Sequence, residues 1–315
     1  MKKMLLLAFV VCLAILAMAK QMVYSAGSMG VEKTVVIEKG STSVMVARKL
    51  FDEGVISYPL LFRVVARIKG LDKNLKAGEY LFASHISLIE VIEQMAKGEI
   101  MYRKITLPEG LTTAQMLDLI AEDEFLSGDI SLEPLEGELL PETYSYSRGD
   151  SKDSIIRQAK DAMNKALDKA WENKDEHLPI KNKKQLLILA SIIEKETGVS
   201  EERGLVASVF VNRLRKGMKL QTDPTVIYAL TKGKKELGRV LLRKDLEIDS
   251  IYNTYKYYGL PPAPICNPGK DSLKAAANPE ISNYLYFVAS GNGGHNFATS
   301  LNEHNKNVKA WKNKK

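Results

Sequence analysis

Cysteine is nearly absent from this 315-residue chain: there are two, Cys12 and Cys266. Cys12 lies in an apolar leader, so the remainder holds a single thiol and a disulfide-stapled fold is excluded. Histidine is also sparse. The four, His85, His177, His295 and His304, are scattered, with no Cys/His cluster at zinc spacing, so no metal is expected. A Gly-rich phosphate loop and a lysine singled out for a Schiff base are both missing, so no cofactor is expected either. An Arg-rich arm and an RNP-like aromatic motif are missing too, which argues against nucleic acid as a partner. The net charge of +7 still suits an anionic surface or polymer, either a phospholipid surface or an acidic cell-wall polymer, and charge alone does not choose between them.

What is present is enough for two ordinary domains, since 45% of the residues are hydrophobic. The expected class is α+β, with an N-terminal membrane segment, a small β-α-α-β subdomain and a larger mixed domain. Met1-Lys2-Lys3 opens the chain and MLLLAFVVCLAILAMA (4–19) follows. As a helix that run spans about 24 Å, short of the roughly 30 Å hydrocarbon core but tolerable with local thinning or snorkelling of the lysines. Two readings compete here: an uncleaved anchor over 1–22, or a secretory signal cut after Ala17-Met18-Ala19. Residues 23–33, with Ser25, Gly27, Ser28 and Gly30, read as a tether.

From Thr34 the pattern is a β-rich run, a Gly-Ser-Thr turn, an amphipathic helix through Val46, Leu50 and Phe51, and a stop at Gly54. A second helix over 60–68 and a strand in AGEYLF (77–82) complete a strand-helix-helix-strand unit within 34–100. IEKGSTSVMVARKL (37–50) and LPEGLTTAQMLDLI (107–120) share a hydroxyl residue placed to cap an apolar helix. A connecting α+β region spans 101–180. It carries EGELLPETYSY (136–146) and an amphipathic helix from Ser154 to about Trp171.

The chemistry is expected in 181–315. QLLILASIIEKET (185–197) is a largely buried helix that runs without a turn signal into Glu194, Lys195 and Glu196. A carboxylate delivered from such a surface is short of water, which favours its neutral form and makes it a candidate general acid. Glu194 shares a face with Leu187, Ala190 and Ser191, and Glu196 with Leu189, Ile192 and Ile193, so periodicity does not choose between them. Gly198 is the expected C-cap. Gln221, Thr222 and Asp223 precede Pro224 at a helix mouth. Asn253 and Tyr255 lie in a Tyr- and Pro-rich loop whose rings suit pyranose faces. YLYFVAS and HNFAT form a hairpin turned by GNGG, with His295 beside the turn.

ASIIEKETG (190–198), VASVFVNRL (206–214), LQTDPTVIYAL (220–230), YNTYKYYGLPPAPICNPG (252–269), SLKAAANP (272–279) and YLYFVASGNGGHNFATSLNEHN (284–305) occur in one order. In this the chain resembles the membrane-anchored endolytic murein transglycosylases, the YceG-like family. The resemblance implies Glu194 as the catalytic acid, Glu196 as its support, and Gln221, Thr222, Asp223, Asn253, Tyr255 and His295 as substrate contacts. It also implies a LysM-like subdomain in 34–100 and non-hydrolytic cleavage of the β-1,4 bond between N-acetylmuramic acid and N-acetylglucosamine. Peptidoglycan strands, the inner membrane and peptidoglycan synthases (penicillin-binding proteins) are the implied partners, with a single-pass anchor and the catalytic part outside the cytoplasm. A non-catalytic peptidoglycan-binding protein and a hydrolytic muramidase are the alternatives.

Overall fold

The computed structural model describes residues 2–291 and 293–313. Asn292 of the expected GNGG turn and the two last lysines lie outside the described residues. The chain is mixed α+β and divides into two compact units, residues 1–103 with 145–149, and residues 104–144 with 150–315.

The first unit opens with α1 (Lys2–Tyr24), followed by β1 (Lys33–Ile37), α2 (Ser43–Asp52), α3 (Pro59–Ile68), β2 (Gly78–Phe82) and α4 (Leu88–Lys97). Among the described residues α1 is the one helix long and apolar enough to cross a membrane. Leu5, Phe9 and Leu16 on it are each more than half exposed. β1 and β2 pair antiparallel with Val35 opposite Tyr80, and alternation sends Val35 and Ile37 inward onto Leu50, Phe62, Phe82 and Ile92. The Thr42 hydroxyl caps α2 by accepting from the Met45 amide. α4 adds a third helix to the expected order; Ser87 and Glu90 close its first turn as a capping box.

β3 (Arg103–Thr106) and β4 (Thr143–Tyr146) pair as a two-stranded sheet, with α5 (Thr113–Glu122) between them in sequence. The second unit continues through α6 (Lys152–Glu172), α7 (Lys183–Glu196), α8 (Arg203–Arg215), α9 (Asp223–Thr231) and α10 (Lys270–Ala277). It ends with β5 (Tyr286–Ala289), β6 (His295–Ala298) and α11 (Leu301–Lys312). β5 and β6 form the expected hairpin, with Phe287 opposite Phe297.

α7 is the central element of this unit. Asn182 caps it by accepting from the Gln185 amide, and every residue from Leu186 to Ile193 is buried. α10 packs along it, with α6 and α8 beside. Each fully buried Leu or Ile is worth roughly 1.5–3 kcal/mol, so truncating Leu189 to Ala is expected to cost about 2–5 kcal/mol. Leu140, Met163 and Leu178 share one hydrophobic cluster with α7, so the stretch expected to connect domains and the stretch expected to carry the chemistry are built on one core.

Candidate functional site

α7 ends because Thr197 takes an extended conformation, φ −143° and ψ 130°. Gly198 is therefore not the cap the sequence suggested. The two glutamates of the last turn are two residues apart, so they leave the helix on nearly opposite sides.

Glu194 turns toward α10 and the start of α8. Its carboxylate accepts from the Gly269 amide at 2.8 Å and lies 3.6 Å from Nη2 of Arg203. Only 5% of the Glu194 side chain and 9% of the Arg203 side chain are exposed. The same guanidinium reaches Glu109 at 3.4 Å and Asp271 at 3.6 Å, so three carboxylates share one cation. Burial, followed by the neighbouring charge of Glu194, pushes the Glu109 carboxyl upward. A Cβ at Gly269 would meet the Glu109 carboxylate, which would have to swing away from its present place.

Glu196 turns the other way, into a cavity of about 180 Å³. Arg213, Gln221, Asp223 and Tyr255 line it with Glu196, and Phe210, Leu220 and Phe287 supply apolar wall. Glu196 is reachable through the cavity and surrounded by protein elsewhere. Burial raises its pKa to about 7; the Thr222 hydroxyl, which donates to it, opposes the rise, and Asp223 adds to it.

The backbone that carries Thr222 is held tightly. Its amide donates to the Thr254 hydroxyl at 3.1 Å, and its carbonyl accepts from Thr225 at 2.8 Å. Thr222 stands at the N-cap of α9, but its hydroxyl turns to Glu196 instead of capping. Gln221 has a φ of +50°, a left-handed conformation that only a few per cent of non-glycine residues adopt. Such strain costs on the order of 1–3 kcal/mol and collects at functional sites. Tyr255 donates to Asp223 at 2.6 Å, and burial, then Asp223, pushes its phenol well upward.

Two other expected contacts stand apart from the cavity wall. Asn253 is fully buried: its amide nitrogen donates to the carbonyls of Leu246 and Ile248, and its oxygen accepts from the Tyr255 amide. It shapes the loop that presents Tyr255. His295 holds Glu202, through its backbone amide at 2.9 Å and Nδ1 at 2.8 Å, and packs edge-on against Phe287. A Cβ at Gly294 beside it would meet the Glu202 carboxylate and displace it from His295. Arg213 was not among the expected site residues. The available signal was its place in the series Val206, Val209, Phe210, Arg213, a charge at a position that helical spacing assigns to core.

A family model described as YceG-like matches residues 35–310. The chain belongs to the YceG-like family. Among this YceG-like chain's relatives, an endolytic murein transglycosylase of Bacillus subtilis (strain 168) is 36% identical over 305 residues, which is 86% of this chain and 82% of that protein. One of Streptococcus pneumoniae (serotype 2, strain D39) is 29% identical over 90% of this chain and 59% of its own length. The crystal structure of a YceG-like protein of Listeria monocytogenes is similar with a TM-score of 0.55 and 35% identity, covering 87% of this chain and 98% of that one.

Proposed function

We propose that this chain is an endolytic murein transglycosylase and that Glu196 is its proton donor. The observation that carries the assignment is a carboxyl raised to about 7 by burial and exposed to a cavity, as a general acid working near neutral pH requires. Glu194, to which the family resemblance gave this role, is engaged by Arg203 and the Gly269 amide and supports the reading less well.

Glu196 gives its proton to the glycosidic oxygen between N-acetylmuramic acid and N-acetylglucosamine as the bond to the muramic anomeric carbon breaks. The muramic C6 hydroxyl then attacks that carbon from within the same sugar, and the Glu196 carboxylate accepts the hydroxyl proton. The acid is regenerated and a 1,6-anhydro end is left, with no water consumed. Intramolecular attack gains from proximity, so one carboxyl suffices where hydrolases use two. Thr222 orients Glu196. Asp223, held by Tyr255, adds negative charge that favours the protonated acid.

Cleavage within nascent strands would terminate their elongation, with penicillin-binding synthases as neighbours. The strand-helix-helix-strand unit of residues 33–82 supports a LysM-like glycan contact, with α1 as a single-pass anchor in the cytoplasmic membrane and the rest of the chain outside. Asp223 on the cavity wall favours one second reading, a muramidase in which it activates water. Mass spectrometry of strands digested by the detergent-solubilised chain separates the two: 1,6-anhydromuramic ends are expected, and reducing ends alone would replace the transglycosylase with a hydrolase.

A further inference from the structure

Arg213 is 8% exposed, and its guanidinium is fixed on two sides. Nε donates to the Leu285 carbonyl at 2.7 Å, and Nη1 to the carbonyls of Leu220 at 2.7 Å and Lys219 at 3.4 Å. Its plane lies over the Tyr286 ring, 5.2 Å from the centroid. Among the described residues, Nη2 has no hydrogen-bond partner, and no carboxylate lies within ion-pair distance of the group. Yet Arg213 lines the same cavity as Glu196. The side chain is largely buried but Nη2 is not sealed off, so it is the one donor of a fixed guanidinium left for a ligand oxygen, and a hydrogen bond to a charged donor is a strong one.

The cavity narrows what that ligand can be. At about 180 Å³ it is smaller than the roughly 300–1,000 Å³ of pockets that enclose whole small molecules, so it takes a side group and ring edge of a longer chain. An anionic group would enter beside the Asp223 carboxylate and be repelled by it, and would meet a second negative charge whenever Glu196 gives up its proton. A neutral carbonyl oxygen meets Nη2 without that penalty. Phe210, Leu220 and Phe287 offer apolar wall in the same space, which suits a methyl group attached to that carbonyl.

We propose that Arg213 forms the acetamido subsite of the cavity: Nη2 donates to the carbonyl oxygen of a sugar's C2 N-acetyl group while the apolar wall takes its methyl. This rests on the glycan-cleaving reading above. The consequence is selectivity. A de-N-acetylated sugar presents an ammonium to a guanidinium and an apolar wall, with no acceptor for Nη2, and is refused.

The test uses the full chain in detergent carrying Glu196→Gln, so that binding is read without cleavage. Dissociation constants are measured for fluorescent glycan strands, either fully N-acetylated or chemically de-N-acetylated. The N-acetylated strand is expected to bind at least about tenfold tighter, with that ratio collapsing toward one in Arg213→Met and falling in Arg213→Lys, which keeps the charge and a donor. Arg213→Lys carries the test if the methionine variant fails to fold. Equal binding of the two strands by the Arg213 protein, or an equal loss for both strands in the variants, overturns the subsite. Failure of the enzymatic reading shows separately, as the absence of 1,6-anhydro ends from N-acetylated strands with the unaltered chain.

Discussion

Glu194 and Glu196 stand two residues apart on one helix, and their surroundings differ in almost every respect. Glu194 meets a cation, a backbone amide and two further carboxylates drawn to the same guanidinium. Glu196 meets a hydroxyl, an aromatic and aliphatic wall, and a cavity that Asp223 and Arg213 also line without pairing with it. The first setting occupies Glu194 with protein partners. The second raises the Glu196 carboxyl to about 7 at the wall of a cavity. One helix end thus holds two acids in unlike settings, and what separates them is the partner each side finds.

The sharpest way to break that comparison is to neutralise each acid in turn. Glu196→Gln is expected to lower kcat about 10²- to 10⁴-fold, as loss of a general acid does, and Glu194→Gln by less than about tenfold, read from release of 1,6-anhydro ends. Removing the cation comes next. Arg203→Met leaves Glu109, Glu194 and Asp271 facing one another, and urea unfolding should show a loss of about 3–5 kcal/mol.

A third effect has a definite sign with pH. The Glu196 carboxyl is raised from 4.5 to about 7, so the stability it contributes is complete below the unfolded value and is lost as pH rises through the folded one. Glu196→Gln, which never ionises, should therefore match the unaltered chain in Tm near pH 4. Above pH 7 it should be the more stable chain, by on the order of 3 kcal/mol at most, since a tenfold change in proton affinity between folded and unfolded chain is worth about 1.4 kcal/mol. Smallest is Thr222→Val. Its hydroxyl lowers the Glu196 pKa, so its removal should move the alkaline limb of the pH-rate profile upward, with a few-fold change in rate at neutral pH.

Much of this fold was legible in the sequence. The apolar run from Leu186 to Ile193 made α7 a buried helix, and the Gly-Ser-Thr turn, through Thr42, made the cap of α2. The choice between the two glutamates was not legible, because α7 is buried on all sides and its pattern marks no face. The cavity walls come from α8, the 220–223 segment, Tyr255 and Phe287, brought together only by tertiary packing. Asn253 looked like a polar group offered by a loop, yet it is the loop's internal brace. Arg213 was hidden by its place in the last turn of α8, where a basic residue ordinarily complements the helix dipole.

The central claim is that one carboxyl, on Glu196, is held neutral up to about pH 7. Carbon-13 NMR of the chain labelled at glutamate side-chain carboxyls, titrated from pH 3 to 9 beside Glu196→Gln, measures it directly. One resonance titrating near pH 7 and missing from the variant is predicted. If the signal lost in the variant instead titrates with the ordinary glutamates near pH 4–5, Glu196 is not held neutral by its cavity and the assignment of the acid is contradicted.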